Sequence, residues 1–250
     1  MPQLTFNRKE MKYLIPPECY EEFLSAVEAR MQKDPYGEYR TCNLYYDTDR
    51  YDLIRKSIDR PLYKEKLRMR SYGVPGPDTE VFIEIKKKVN RMVYKRRERL
   101  PYREVCDFLD RGIYPDARDS QIMREIRYFL QFHRPHAALF LSYNRLPFAD
   151  ANGGDLRVTF DSDIRYRFEQ VSLHEGDYGG LYFPQGTHLM EVKVTSAVPL
   201  WLASLMDRYQ IRRTSFSKYG AIYQREFTNI QELLMPGSGQ YEMLAIAQDL

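Results

Sequence analysis

Apolar and polar side chains alternate along residues 5–15, 40–47, 62–72, 80–88, 91–100, 138–147, 155–162 and 187–195, and this period of two predicts a strand at each stretch. Between them the period lengthens. Pro16-Pro17 opens a helix, proline being tolerated in a first turn, and Tyr20, Phe23, Leu24, Val27 and Met31 make its apolar stripe until Asp34-Pro35-Tyr36-Gly37 closes it. Helices are also predicted at 101–111, at 118–133 with Ile122, Ile126, Phe129 and Leu130 on one face, and at 197–209 around Trp201, Leu202, Leu205 and Met206. A helical turn is predicted at 49–57. Gly73-Val74-Pro75-Gly76-Pro77-Asp78 is a strong turn signal. No repeat or low-complexity tract divides the chain, which reads as one α+β domain over 1–226 and a tail over 227–250.

Successive side chains of a strand point to opposite faces, so each predicted strand can be split by parity. Met11, Tyr13 and Ile15 then oppose Arg8, Glu10 and Lys12, and Tyr63, Leu67 and Met69 oppose Lys64, Lys66, Arg68 and Arg70. Val81, Ile83 and Ile85 oppose Glu84 and Lys86, while Met92 and Tyr94 oppose Lys95, Arg97 and Arg99. Leu156, Val158 and Phe160 oppose Arg157, Thr159 and Asp161, and Met190, Val192 and Val194 oppose Glu191 and Lys193. One apolar and one charged face per strand describes an antiparallel sheet with helices on one side and water on the other. The residue choice says more. Like charges ~4 Å apart repel by roughly 4 kcal/mol at an effective dielectric of 20, and Arg68-Met69-Arg70 places two guanidinium groups on one face. An anion offsets such repulsion, and the planar guanidinium fork suits phosphate. If the sheet curls into a barrel with the charged faces inward, it encloses a water-filled, cation-lined tunnel. The interleaved carboxylates Glu10, Glu84 and Glu191 are then suited to a hard divalent cation that bridges phosphates.

Composition narrows the function. In 250 residues, 38 Lys+Arg against 35 Asp+Glu leave a formal charge of +3, too little for a general nucleic-acid binder. No apolar run reaches the ~20 residues that span a bilayer, and the start does not read as a signal peptide. Three cysteines, far apart and without a CxxC pair, argue against a zinc site or disulfide framework and for a reducing, cytoplasmic setting. His133, His136, His174 and His188 are scattered and form no catalytic set.

The segments singled out by parity also carry a family pattern. Phe6-Asn-Arg-Lys-Glu-Met-Lys12-Tyr13, Leu44-Tyr-Tyr-Asp47, Lys66-Leu-Arg68-Met-Arg70-Ser-Tyr72-Gly73, Phe82-Ile-Glu84-Ile-Lys86, Tyr143-Asn144-Arg145, Arg157-Val-Thr-Phe-Asp161, Met190-Glu191-Val192-Lys193 and Ser215-Phe-Ser217-Lys218-Tyr219 follow one another in order. In this the chain resembles the VTC domain, the polyphosphate polymerase module of the vacuolar transporter chaperone complex, in the triphosphate tunnel metalloenzyme superfamily. The resemblance implies an antiparallel β-barrel tunnel of about eight strands, with a charged interior and helices outside. It implies a catalytic set of Lys12, Arg68, Arg70, Lys86, Lys95, Arg145 and Lys218. Substrate contacts fall to Tyr143, Arg157, Lys193 and Ser217, with Arg60 or Arg55 at the arginine that precedes the Arg-x-Arg pair. Glu191 is the implied metal carboxylate, and parity adds Glu10 beside it. Ser215 stands where polymerase members carry a further basic residue.

The activity implied is transfer of the γ-phosphoryl of ATP to a growing inorganic polyphosphate chain, with Mn²⁺ or Mg²⁺. The alternatives are a tripolyphosphatase or nucleoside triphosphatase on the same tunnel, a non-catalytic polyphosphate-binding module, and RNA binding, which the many tyrosines would serve by stacking. The expected partners are ATP and polyphosphate, with no nucleic acid and with room for a membrane-protein partner.

Overall fold

The structure, a computed structural model, describes residues 9–59, 61–90, 92–115 and 119–234, the last seven by backbone alone. In chain order the elements are β1 (Lys9–Ile15), α1 (Pro17–Glu28), β2 (Met31–Lys33), β3 (Tyr39–Asp47), α2 (Asp52–Ile58), β4 (Tyr63–Tyr72), β5 (Glu80–Val89), β6 (Met92–Pro101), α3 (Tyr102–Arg111), α4 (Gln121–His133), β7 (His136–Asp150), β8 (Arg157–Arg167), β9 (Gly180–Leu181), β10 (His188–Val194), α5 (Leu200–Arg208), β11 (Arg213–Thr214) and α6 (Lys218–Leu234). This is an α+β fold, and its eleven strands pair antiparallel. The eight long strands are those that the alternation predicts. The additional three, β2, β9 and β11, are two or three residues each, too short to carry a period.

The chain divides into two compact units, one of Glu38–Arg145 and Asp163–Phe183, the other of the described residues up to Gly37, Leu146–Ser162 and Pro184 onward. In the first, β3 lies between β7 and β4, followed by β5 and β6. Its core joins Leu67 and Met69 of β4 to Ile85 and Ile83 directly opposite on β5, and packs them under Val105 and Phe108 of α3 and Met123, Ile126 and Phe129 of α4. All of these are essentially inaccessible, and each buried aliphatic of this size is worth about 1.5–3 kcal/mol. Within the Leu44-Tyr-Tyr-Asp47 segment, Asp47 has a structural role. Asp47 is fully buried and accepts from the amides of Thr48, Leu53 and Ile54 at 2.8–3.0 Å, which satisfies the free N–H groups at the start of α2.

In the second unit β1 lies between β11 and β10, and β10 pairs with β8. Tyr13 is opposite Met190, which is opposite Phe160, and this row packs under Phe23 and Val27 of α1 and Leu202 and Met206 of α5. The predicted first helix is shorter than its stripe suggested. It stops at Glu28, and Met31 reaches the same core from β2, opposite Asp150 of β7. Helix α6 was not predicted, because Gly220 interrupts its pattern; Ser217 Oγ accepts the Gly220 amide at 3.4 Å at its start. It runs past residue 226, where the tail was expected to begin, and residues 235–250 lie outside the described ones.

Candidate phosphate-binding and metal sites

In the first unit the face of β4–β6 opposite the helices is a grid of charge set by register. Arg68 is opposite Glu84, which is opposite Arg97, and in the next row Lys66 is opposite Lys86, which is opposite Lys95. Glu84 is 1% exposed and is the hub. Its carboxylate lies 2.5 Å from Arg68 Nε, 2.7 Å from Lys95 Nζ and 4.0 Å from Arg70 Nε. Both arginines are further braced by neutral groups. Arg68 donates to the Tyr45 hydroxyl at 3.2 Å, and Arg70 donates to Asn43 Oδ1 at 2.9 Å and to the Tyr143 hydroxyl at 3.4 Å. Arg145 lies over the Tyr143 ring, 5.1 Å from its centroid. The guanidinium groups are therefore fixed before any ligand arrives, the pre-organisation that phosphate recognition rewards.

The electrostatics follow. Burial alone would raise the Glu84 carboxyl, but Arg68, Arg70 and Lys95 together outweigh it and hold it at about 2. Burial pushes the Lys95 ammonium down to about 8 against the pull of Glu84. Burial likewise lowers Lys66 to about 8; Tyr45 and Asp47 oppose the shift, while Lys64 and Lys86 add to it. Lys66 was not among the expected site residues; its signal was its parity with Arg68. Anion affinity on this face is expected to fall as the pH rises from 7 to 9, because two ammonium groups lose their protons while the ligand stays a polyanion. Titration calorimetry with tripolyphosphate at pH 7, 8 and 9 measures this, and a flat profile would contradict it.

The second unit holds a different set. Lys12 is opposite Glu191, and Glu10 is opposite Lys193, which is opposite Arg157. Lys12 Nζ donates to the Phe216 carbonyl at 2.9 Å and lies 3.4 Å from Glu10 and 3.8 Å from Glu191. Lys193 also pairs with Glu191. Lys218 is bound at 2.5 Å to the fully buried Asp161, a partner that lies on the expected charged face but was not selected as a site residue. Arg157 instead donates to the Gly154 and Leu156 carbonyls at 3.2 and 3.0 Å, so its charge serves the turn before β8. Arg60 lies outside the described residues. The histidines stay apart from both sets, with His133 on Glu65 and His188 stacked on Tyr20.

Among the described residues no group of three His, Cys, Asp or Glu side chains is placed to hold a metal. Glu10 and Glu191 nonetheless share the Lys12 ammonium between them. Two carboxylates already gathered round one cation are a donor set that suits a hard divalent ion completed by waters and phosphate oxygens.

The fold recurs in solved structures. A protein of Bacillus halodurans described as a candidate adenylate cyclase superposes with a TM-score of 0.56 at 14% identity, covering 86% of this chain and 96% of its own. A candidate adenylyl cyclase of Hippeastrum, described as having a dominant triphosphatase activity, gives 0.55 at 15% identity, covering 86% and 95%. The chain thus shares its fold with these two structures. The chain belongs to the VTC domain family, whose model matches residues 7–227. Comparison with curated proteins gives no match.

Proposed function

We propose that this protein is a polyphosphate polymerase, an enzyme that transfers the γ-phosphoryl of ATP to the end of a growing inorganic polyphosphate chain and releases ADP. The observation that carries the reading is the pre-set cation array of Arg68, Arg70 and Lys95 around Glu84 in a chain of the VTC family. In the transfer, the bond from the γ-phosphorus to the ADP oxygen breaks and a bond to a terminal oxygen of the acceptor forms. That oxygen already carries negative charge, so no side chain has to remove a proton. Phosphoryl transfer asks a protein chiefly for positioning and charge neutralisation. Arg68 and Arg70 grip the phosphates through their braced forks, and Lys86 and Lys95 neutralise adjacent oxygens; Lys12 and Lys218 are the cations of the second unit's own set. Glu10 and Glu191 are the residues that would hold Mn²⁺ or Mg²⁺. Such an ion, when bound, would act as a Lewis acid that offsets the negative charge of the transferred group.

Incubation with ATP and Mn²⁺ or Mg²⁺, followed by analysis for ADP, free phosphate and polymer, tests this. Polymer with ADP is expected; free phosphate in its place would assign hydrolysis, the activity described for the Hippeastrum relative. Neither product would leave a binding module. Glu191→Gln is expected to remove metal-dependent turnover while triphosphate binding survives, and full activity in that variant would exclude Glu191 as the metal carboxylate.

A further inference from the structure

The far end of the β5–β6 hairpin, in the first unit, exposes apolar side chains on both faces. Val89 of β5 is opposite Met92 of β6, and Lys88 is opposite Val93. Met92 and Val93 are consecutive and so point to opposite sides, yet they are 52% and 47% exposed, with Val89 at 42%. Leu62, whose carbonyl accepts the Asn90 amide at 2.9 Å, is 77% exposed beside this tip. A belt of rings continues from it. The Tyr63 hydroxyl donates to Glu65 at 2.8 Å, Glu65 pairs with His133 at 2.8 Å, the Phe132 ring meets His133 edge-on at 4.8 Å, and Tyr128 stacks on Phe132. Tyr128 and Phe132 are 64% and 68% exposed on α4. Immediately behind the tip stand Lys87 and Lys88, about 3–7 Å back along the strand. Lys56 is also close, 6.0 Å from the Tyr63 ring centroid.

We propose that this tip is a docking surface for an anionic lipid bilayer. A protein partner laid on a sheet face meets alternate side chains and leaves the other parity polar. Here both parities expose an apolar side chain at the tip, with Lys88 beside Val93 on one of them, as suits a segment that its medium surrounds. Apolar groups then enter the boundary between headgroups and acyl chains, to a depth of roughly 5–10 Å. The tyrosines sit at headgroup level, where amphipathic rings are favoured. Lys87 is paired with Glu125 at 3.3 Å, so it is Lys88 and Lys56 that reach lipid phosphates, each worth about 1 kcal/mol near such a surface. An apolar cluster of this kind is otherwise a liability in water.

Flotation of the full chain with vesicles tests the proposal. The protein is expected to rise with vesicles of 70% phosphatidylcholine and 30% phosphatidylglycerol and to stay in solution with phosphatidylcholine alone. The double substitution Met92→Asp, Val93→Asp is expected to lower the vesicle-bound fraction at least tenfold with an unchanged melting temperature, as both sites are half exposed. Tyr128→Ser with Phe132→Ser is expected to lower it less. Absence of the wild type from the anionic vesicles, or flotation of the Asp variant at the wild-type level, overturns the proposal. So does a wild-type dimer in sedimentation velocity that the Asp substitutions dissolve while neither form floats.

Discussion

Arg68→Ala is expected to weaken tripolyphosphate binding about 10- to 100-fold, since hydrogen bonds to charged groups are worth ~1.5–3 kcal/mol each and 1.4 kcal/mol is a factor of ten. The side chain is held on two sides, by Glu84 at 2.5 Å and by the Tyr45 hydroxyl at 3.2 Å, so little ordering remains to oppose binding. Arg70→Ala is expected to act in the same direction, because Asn43 and Tyr143 orient that guanidinium independently of Arg68. Arg68→Lys separates charge from geometry. It keeps the cation but loses the planar fork, and an affinity between wild type and alanine is expected. Calorimetry with tripolyphosphate measures all three, with circular dichroism to verify folding. An affinity that stays at the wild-type value in Arg68→Ala would remove the first unit's face as the phosphate site.

The second large effect concerns Glu84. A carboxyl held at about 2 instead of 4.5 stabilises the folded chain by roughly 3 kcal/mol at 1.36 kcal/mol per pH unit. Because its folded value lies below the unfolded one, that contribution is complete above pH ~5 and disappears as the pH falls through ~2. Glu84→Gln is therefore expected to be about 3 kcal/mol less stable at pH 7. It should also lack the part of the wild type's acid destabilisation that comes from this carboxyl between about pH 5 and 2. In a chain of this size the loss corresponds to a melting temperature lower by about 6–12 °C. Removing the hub leaves Arg68, Arg70 and Lys95 without their shared anion, so tripolyphosphate should restore more stability to the variant than it adds to the wild type. Thermal melts with and without the ligand read both. Equal stabilisation of the two proteins would mean that ligand and Glu84 do not meet the same cations.

The parity of the strands carried much of the candidate site's layout. Met11, Tyr13, Leu67, Ile83 and Val192 went to the helix side and Lys12, Arg68, Glu84 and Glu191 to the other face, as the alternation predicts. Alternation is a local property of extended backbone, so it survives without knowledge of neighbours. The family segments were legible for the same reason, each being a short run within one strand. Where a segment's job depended on what lay across from it, the letters were silent. Leu44-Tyr-Tyr-Asp47 carries the family pattern, but only the structure shows that Asp47 caps α2 and that the Tyr45 hydroxyl braces Arg68. Arg157 has the expected parity, and only the structure shows that its guanidinium also donates to the Gly154 and Leu156 carbonyls.

By itself, then, the sequence determined the α+β class, the eight long strands, the side on which each charge stands and the family to which the chain belongs. The tertiary structure alone decided that Glu84 is shared by three cations, that Lys12 lies between Glu10 and Glu191, that Asp161 holds Lys218, and that the β5–β6 tip exposes apolar side chains on both sides. The reason is register. Pairings such as Lys12 with Glu191 join residues far apart along the chain, and a slip of one position in either strand would exchange every partner while leaving each strand's own alternation intact.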